Sequence, residues 1–291
     1  MSLLRAAPAK VNLFLDILGK RADGFHDLHT VFSTITLSDV ISFERSTFSG
    51  SSEREVEVSG EESAGVPTDG RNIVVRALEF YAAELSKKGG EPLPHLRTRL
   101  KKTIPHGAGL GGGSSDAAAA LLAVNDYMRK PFTRDELRVM AAQVGSDCAF
   151  FIDGGTAEGL GRGELLTKWP CRTLHLLLVV PPFQISTAEA FQKLRPEDMG
   201  SRSDFGALRN WLMDPTSAVP RLENAFEGAL DADHPELRIA REKLIAEGAL
   251  LARLSGSGSA TFGVFPDTEA ARHASESLSH DYRCWVCETN C

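Results

Sequence analysis

Hydrophobic and polar positions divide the start of the chain into two extended segments joined by a polar loop. Residues 6–18 are mostly apolar but include Lys10 and Asn12, and residues 31–43 are rich in apolar and β-branched side chains. Residues 20–27 interrupt this pattern with charged residues and a glycine. The pattern predicts two strands around a loop, with a lysine and an asparagine set into the first strand.

Helical spacing and capping residues predict the elements that follow. Thr133 with Glu136 three residues later is typical of a capping box at the start of a helix over 133–144. The other predictions for the first half are an exposed hairpin and loop at 46–70, a helix at 72–85, a strand with one solvated face at 95–104, a glycine-rich loop running into an alanine-rich helix at 106–128, and irregular glycine-rich chain at 150–166.

A continuous apolar run at 174–180 opens the second half and predicts a strand buried on both faces. Pro181 and Pro182 end it. The remaining predictions are helices at 188–194, 204–212, 222–230, 235–247 and 268–278, a strand–turn–strand unit over 251–265, and a last strand at 282–286.

Composition and charge exclude several classes of protein. The 291 residues are 42% hydrophobic, enough to bury a sizeable core, and the net charge of −7 argues against a general nucleic-acid binder. No apolar run is long enough for a membrane span, and the first ten residues lack the core of a signal peptide. We therefore expect a cytoplasmic protein without a membrane or nucleic-acid partner, as a monomer or homodimer.

Five cysteines, an odd number, do not suggest a disulfide framework. Cys284, Cys287 and Cys291 lie close together, which leaves a metal or redox site open, but no fourth ligand or βαβ pattern accompanies them. The simpler interpretation is a final strand. Cys148 and Cys171 are interpreted as small apolar fillers.

The strongest local signal is five glycines within residues 107–113, followed by Ser114, Ser115 and a helix. Glycine lets the backbone approach an anion closely, and a helix start offers unpaired N–H groups, so we expect a phosphate chain here. The serine hydroxyls can cap the helix, bind phosphate or help to position Mg²⁺. A Walker A loop is excluded because Ser114 follows Gly113. A dinucleotide fingerprint matches in form only, since no buried apolar strand precedes the loop.

Lys10 and Asp147 are the candidate reacting side chains. A lysine among apolar residues needs a partner if it is buried, and otherwise faces water on an edge strand. Asp147 lies between a helix and an apolar segment, where a cap or turn role is equally open. Together they suit phosphoryl transfer, because a carboxylate can orient a hydroxyl while an ammonium neutralises phosphoryl charge.

Several motifs carry a family resemblance. PHGAGLGGGSSDAAA (105–119) and SGSGSATFGVF (255–265) resemble the phosphate motif and the C-terminal glycine-rich motif of the GHMP small-molecule kinases. The segment at 8–32 resembles the members that act on a cytidine-linked alcohol, and VGSDCAFF (144–151), GGTAEGLGRGELL (154–166) and ENAFE (223–227) fit in the same order.

The resemblance implies an α+β fold with two GHMP-kinase-like domains, at 1–168 and 169–291, and an active-site cleft between them. It implies ATP-dependent phosphorylation of the 2-hydroxyl of a cytidine-diphosphate-linked methylerythritol in non-mevalonate isoprenoid synthesis, with Mg²⁺. Lys10 and Asp147 match the catalytic pair. Asn12, Phe25 and His26 match substrate-side positions. Apart from the resemblance, residues 181–187 are expected to line the substrate side, with Phe183 as a second wall for the base. The ATP loop comprises Pro105, Gly107, Gly109, Leu110, Gly111, Gly112, Gly113, Ser114 and Ser115.

Two residues depart from the family pattern, and other functions stay open. Phe25 replaces a tyrosine, which removes a hydroxyl, and Ala149 replaces a proline, which is expected to loosen the backbone behind Asp147. No protein residue is assigned as a metal ligand, although Ser115 and Asp116 are candidates with water. The alternatives are a kinase for homoserine, mevalonate or a sugar, a non-catalytic nucleotide-binding protein and, more distantly, a dinucleotide-dependent oxidoreductase.

Overall fold

A computed structural model describes residues 3–45, 55–201, 203–214 and 216–291 of the chain. Its strands are β1 (Leu3–Lys20), β2 (His26–Arg45), β3 (Val56–Ser59), β4 (Leu96–Lys101), β5 (Thr156–Gly161), β6 (Leu165–Lys168), β7 (His175–Val180), β8 (Leu251–Leu254), β9 (Thr261–Phe265) and β10 (Arg283–Glu288). None of the helices within these ranges combines the length and apolar character that a membrane span requires.

The helices alternate with these strands in a mixed α and β arrangement. They are α1 (Ile73–Lys87), α2 (Gly112–Tyr127), α3 (Arg134–Val144), α4 (Cys148–Asp153), α5 (Thr187–Lys193), α6 (Phe205–Met213), α7 (Ala225–Leu230), α8 (Pro235–Ala246) and α9 (Thr268–Leu278), with a 3-10 helix at Pro196–Asp198.

The described residues group into two compact units, and the first contains those of Met1–Ala9, Leu37–Pro105 and Gly111–Asp153. In this unit β4 pairs antiparallel with Val40–Arg45 of β2 and parallel with β3. Helix α2 packs against α1 and α4. Its alanines from Ala117 to Ala120 are buried, because side chains this small let neighbouring helices approach closely.

The second unit contains Lys10–Thr36, His106–Leu110 and Gly154–Cys291. Its part of β2, Leu28–Ser33, pairs antiparallel with β5, which pairs in turn with β6. A second antiparallel sheet has the order β10-β7-β9-β8. Helices α8 and α9 cover it with an apolar cluster of Leu177, Val179, Ala240, Leu244, Phe265, Ala271 and Leu278.

Several predicted elements are confirmed for identifiable reasons. The strand at 174–180 is β7, whose residues from Leu176 to Val180 are all buried as its unbroken apolar run indicated. The Thr133 hydroxyl accepts from the Glu136 N–H, and the Glu136 carboxylate accepts in return from the Thr133 N–H, which completes the capping box of α3. The units are defined by contacts and leave the predicted division at 168/169 untested, so it stays a prediction.

The prediction of irregular chain at 150–166 was wrong. This segment contains the end of α4, strands β5 and β6, and the hairpin turn that joins the two strands. Its glycines serve a close approach, since a Cβ at Gly159 would lie 2.7 Å from the Phe32 ring and one at Gly163 would lie 3.2 Å from it. Glycine density here marks packing under an aromatic ring, which sequence alone does not distinguish from a loop.

The predicted hairpin and loop at 46–70 falls partly on residues 46–54, which lie outside the described residues. Within the rest of it, Val56–Ser59 forms β3, and turns follow towards α1.

The interpretation of Cys171 as an apolar filler was also wrong, because Cys171 forms a disulfide with Cys291 across 120 positions. The antiparallel register of β10 with β7 pairs Glu288 with His175 and so returns the chain end to the segment before β7. Cys284 and Cys287 lie in β10, as the strand interpretation expected. Burial raises the pKa of Cys287 to about 12, and the described residues contain no cluster of three metal-ligating side chains.

Candidate functional site

The glycine-rich loop ends in an open helix start. Gly107, Gly109 and Gly111 have positive φ angles of 66°, 75° and 69°. Gly111 is the N-cap of α2 in the left-handed conformation and provides no side-chain cap, so the first N–H groups of this helix are left for another acceptor. An anion is the acceptor that the helix dipole favours at this end.

The two serines after the loop do not cap α2, contrary to one of the expected roles. The Ser115 hydroxyl is buried and has no hydrogen-bond partner within the described structure. A buried hydroxyl without a partner at a helix start is an oxygen donor available to a phosphate-bound cation or to a phosphate.

The C-terminal glycine-rich turn packs against the first part of the loop. A Cβ on Gly109 would lie 2.0 Å from the carbonyl oxygen of Ser255, so only glycine fits at this approach. The Ser255 hydroxyl donates to the Gly109 carbonyl at 3.1 Å, and the Ala260 N–H donates to the Ala108 carbonyl at 3.1 Å. The turn between β8 and β9 was predicted, and it holds the backbone at 107–109 in place.

Lys10 is buried, which excludes the interpretation of an edge-strand lysine facing water. Its ammonium donates to the Asn12 side-chain oxygen at 2.5 Å and to the Gly109 carbonyl at 2.8 Å. It also lies 5.7 Å from the centre of the Phe32 ring. The Asn12 amide group donates in turn to Thr30 Oγ1 at 2.8 Å. The second unit thus brings a buried positive charge, with its oriented asparagine, directly to the phosphate loop.

Asp147 lies in the first unit, in the turn between α3 and α4, and is partly exposed. This turn is close to the start of α2, since a Cβ on Gly145 would lie 3.1 Å from Cys148 Sγ and 4.0 Å from Ser114 Oγ. Ala149 is the second residue of α4, a position where proline is tolerated, and the helix forms without it. The departure from proline therefore leaves the local secondary structure intact.

A buried ionic cluster at the base of α2 escaped the sequence analysis. The Lys102 ammonium donates to Asp39 and to Asp116, the latter at 2.7 Å, and all three side chains are almost fully buried. Asp39 also accepts from the Ile104 N–H at 2.9 Å. Lys102 was interpreted as part of a solvated strand face, and no spacing along the chain links it to Asp39, 63 residues away.

Burial dominates the titration of this cluster. It raises the pKa of Asp116 to about 8, and the neighbouring Lys102 only partly offsets it. Burial alone would lower the pKa of Lys102, but the two carboxyl groups more than compensate and raise it. Asp116 accepts from Lys102 through one oxygen, and its other oxygen, like the Ser115 hydroxyl, is buried without a partner in the described structure. Both candidate ligands therefore keep an oxygen available to a cation, and that of Ser115 belongs to a side chain outside the ionic cluster.

The residues predicted for the substrate side lie in the second unit, and each of their rings is stacked on another side chain. His26 stacks on Phe191 with centroids 4.8 Å apart, and burial together with the charge of Lys20 lowers its pKa. Phe183 stacks on His234 at 5.2 Å. Phe191 and His234 were not predicted, because their helices carried no motif.

Phe25 lies in the 21–25 loop with its ring half exposed, under the guanidinium of Arg162 at 4.9 Å. Asn224 was not predicted as a functional residue either, although it belongs to the ENAFE motif. Its amide group donates to the carbonyls of Leu254 and Gly256 and so braces the C-terminal glycine-rich turn.

Family models match both halves of the chain. The model of the GHMP kinases N terminal domain matches residues 72–155, and that of the GHMP kinases C terminal domain matches residues 188–284.

Individual proteins resemble the chain over nearly its whole length. A curated 4-diphosphocytidyl-2-C-methyl-D-erythritol kinase of Pelotomaculum thermopropionicum is 39% identical over 275 residues, or 94% of this chain and 92% of that protein. A crystal structure of 4-(cytidine 5'-diphospho)-2C-methyl-D-erythritol kinase matches with a TM-score of 0.82 at 32% identity, covering 99% of this chain and 100% of that one. Homoserine kinase from Cytophaga hutchinsonii shares the fold, with a TM-score of 0.72 at 19% identity over 99% and 94% of the two chains. These matches confirm the predicted α+β GHMP-kinase fold.

We expect Gly109→Ala to destabilise the protein by more than about 2 kcal/mol, because the added methyl group would overlap the Ser255 carbonyl at a positive φ. Gly113→Ala is the matched control, since its Cβ would meet only Ile73 at 3.6 Å and alanine favours a helix. Thermal denaturation of both variants checks the difference. Equal melting temperatures would contradict the role given to the Gly109 approach.

The raised pKa of Asp116 leads to a prediction about how the stability of the protein changes with pH. Its folded pKa of about 8 exceeds the ordinary value of 3.8, so the folded state holds a proton that the unfolded state releases between these values. Stability from this group is therefore lost as pH rises through that window, by at most about 1.4 kcal/mol per pH unit. The stability of Asp116→Asn relative to wild type should increase from about pH 5.5 to about pH 7.5 in urea denaturation.

The exposed variant Asp135→Asn serves as the control, because its carboxylate is 84% exposed and should show no such trend relative to wild type. A difference between wild type and Asp116→Asn that stays constant with pH would show that Asp116 is ionised in the folded protein.

Proposed function

This chain belongs to the 4-diphosphocytidyl-2-C-methyl-D-erythritol kinases within the GHMP kinases, and we propose that it transfers the γ-phosphate of ATP to the 2-hydroxyl of 4-(cytidine 5'-diphospho)-2-C-methyl-D-erythritol. The observation that carries the proposal is the buried Lys10 ammonium, 2.8 Å from the Gly109 carbonyl of the phosphate loop. A kinase needs a fixed positive charge at this place, since the transferred group carries most of the developing charge.

ATP is the phosphate donor, and the proposed phosphate contacts come from the backbone of the loop. Positive-φ glycines turn the chain, and the uncapped start of α2 supplies N–H donors with a favourable dipole. The proposed ATP-binding residues are Pro105, Gly107, Gly109, Leu110, Gly111, Gly112, Gly113, Ser114 and Ser115.

Lys10 and Asp147 are proposed as the catalytic residues. Lys10 would neutralise charge on the moving phosphoryl group, and Asn12 would keep its ammonium oriented through the 2.5 Å hydrogen bond. Asp147 would orient the substrate hydroxyl and accept its proton. Its position in a turn beside the start of α2 supports this role, because a Cβ on Gly145 in that turn would lie 4.0 Å from Ser114 Oγ of the proposed ATP loop.

Mg²⁺ is proposed to accompany ATP, and the Ser115 hydroxyl is the residue that would hold it. Mg²⁺ prefers oxygen ligands and keeps several waters, so one hydroxyl with phosphate oxygens is a sufficient set. When bound, the ion would neutralise phosphate charge. The buried Ser115 oxygen without a partner supports this assignment.

The cytidine part of the substrate is proposed to bind at Phe25, His26 and Phe183. Aromatic rings stack on a base, and a histidine with a lowered pKa stays neutral near pH 7 and can both donate and accept. Asn12, besides orienting Lys10, faces the methylerythritol part in this proposal.

The alternative kinases for homoserine, mevalonate or a sugar have no need for a base-stacking set, which favours the cytidine-linked substrate. The oxidoreductase alternative is disfavoured because β4, the strand before the glycine loop, pairs antiparallel with β2 instead of opening a parallel βαβ unit. A non-catalytic role would not require a buried lysine at the phosphate loop.

The reactants are small charged molecules, and we propose that the enzyme acts in the cytoplasm as a monomer or homodimer without a nucleic-acid or membrane partner. A reducing cytoplasm would keep Cys171 and Cys291 as thiols, since disulfides rarely persist there. No proposed catalytic or binding residue belongs to that pair.

We expect Asp147→Asn to lower kcat by at least about 100-fold while ATP binding is retained, because the amide cannot accept the hydroxyl proton. The measurement is coupled ADP release together with ATP titration calorimetry. Asp153→Asn, which changes an exposed carboxylate at the other end of α4, should turn over normally. Near-normal turnover of Asp147→Asn would refute its role.

Substrate choice is tested with a panel. ADP release should be fastest with the cytidine-linked alcohol, and removing cytosine from that substrate should lower kcat/KM by at least about 10-fold, the loss of one stacked base. Homoserine, mevalonate and galactose should give little acceptor-dependent ADP. Faster turnover with any of these three would show that the proposed substrate is wrong.

A further inference from the structure

The ring of Phe25 is anchored through its backbone but not through a polar group of its own. In the 21–25 loop, the Arg21 N–H donates to the Phe25 carbonyl at 2.8 Å, and the Phe25 N–H donates to Asp23 at 3.1 Å. The Phe25 residue is nevertheless 51% exposed. A phenyl ring without a hydrogen-bonding group needs a neighbour on one face to keep a single orientation.

That neighbour is Arg162, in the turn between β5 and β6. Its guanidinium carbon lies 4.9 Å from the centre of the Phe25 ring, within the range of a cation–π contact. The register of β2 with β5 pairs Leu28 with Gly161, and this pairing brings the turn beside the loop that carries Phe25. The contact is thus a consequence of the sheet register, and both residues belong to the same unit.

The backbone of the turn is fixed as well. Gly161 and Gly163 have positive φ angles of 69° and 100°, and the Arg162 N–H donates to the Glu164 carboxylate at 2.6 Å. The Glu164 carboxylate also lies 3.6 Å from Arg162 Nε. Arg162 therefore starts from a defined position, which lowers the entropy lost when its long side chain covers the ring.

The charge of Arg162 is already balanced by acidic neighbours. Glu164 contacts it directly, and Asp23, whose pKa is lowered despite the opposing effect of burial by its bonds with Phe25 and Arg21, also feels its field. A guanidinium between two carboxylates is a weak site for a diphosphate. The interaction that remains open to Arg162 is the packing of its planar guanidinium on the Phe25 ring.

We propose that Arg162 is a positioning residue for the pyrimidine nucleotide of the substrate, holding the Phe25 ring from one face so that the cytosine stacks on the other. This inference rests on the proposed role of Phe25 in binding the base. In this proposal the β5–β6 turn contributes to substrate specificity, because its glycines and Glu164 fix the backbone position of Arg162.

The test is a double-mutant cycle on the full-length enzyme, with Arg162→Ala, Phe25→Ala and both together. Arg162→Ala should raise KM for the cytidine-linked substrate by about 3- to 10-fold, as expected for a cation–π contact, with kcat and the KM for ATP unchanged. Because Arg162 acts through the ring, the double variant should match Phe25→Ala. Arg162→Lys should recover part of the affinity, since an ammonium can occupy the same face.

Arg283→Ala is the matched control. It removes the same charge and a similar stack, that of Arg283 on Trp285 at 5.0 Å, from a part of β10 without a proposed site residue. Its kinetics should equal those of wild type. A rise in substrate KM equal to that of Arg162→Ala would trace the effect to overall charge and overturn the proposal.

The other outcomes separate this proposal from the one it rests on. If Phe25→Ala raises KM and Arg162→Ala does not, the role of Arg162 is refuted while base stacking by Phe25 stands. If Arg162→Ala weakens binding further in the Phe25→Ala background, Arg162 contacts the substrate directly and positioning through the ring is wrong. If neither variant changes KM while substrate without cytosine still binds poorly, both roles assigned to Phe25 and Arg162 fail, and the kinase activity is untouched.

Discussion

The burial of the Lys10 ammonium is the constraint on which the candidate site depends. An unpaired charge in a protein interior costs several kcal/mol, so this lysine must have partners in the folded state. It finds them in the Asn12 side chain and the Gly109 carbonyl. These bonds connect strand β1 to the glycine-rich loop, and in the proposed mechanism the same ammonium meets the transferred phosphate.

A second buried lysine, Lys102, also joins distant segments of the chain, in the other unit. Lys102 binds Asp39 and Asp116, and Asp116 lies in the first turns of α2, four residues after the helix begins. The glycine-rich loop is divided between the units, with 107–110 in one and 111–113 in the other. Lys10 binds the first part directly, and Lys102 binds Asp116 in the helix that follows the second part, so both ends of this glycine-rich segment are anchored. Glycine allows the close approach to an anion, and these contacts offset part of the entropy that is lost when the loop is ordered.

What the sequence could predict follows from the range of the interactions involved. The strand around Lys10, the capping box at Thr133 and the glycine-rich loop that runs into α2 all depend on neighbours within a few residues, so the sequence predicted them, although it did not predict that Gly111 would leave α2 uncapped. The Asp39–Lys102 pair and the Cys171–Cys291 disulfide join residues far apart in the chain, so no local pattern announced them. The glycines at 159 and 163 led to the wrong prediction of irregular chain at 150–166 for a related reason. They leave room for the Phe32 ring, which lies more than a hundred residues earlier in the chain.

The rings that we propose to bind the cytidine part of the substrate are each backed by another side chain of the second unit. His26 is backed by Phe191 and Phe183 by His234, while Phe25 is backed by a cation. The first two pairs are stacked ring on ring, and Phe191 is further held edge-on by the buried Phe226. The half-exposed ring of Phe25 is backed instead by the guanidinium of Arg162, in the turn between β5 and β6. A ring that is already fixed loses little conformational freedom when a base stacks on it, so binding energy is retained for affinity. In the proposed site, Phe25 is therefore the ring at which one additional side chain should have the largest influence on base binding.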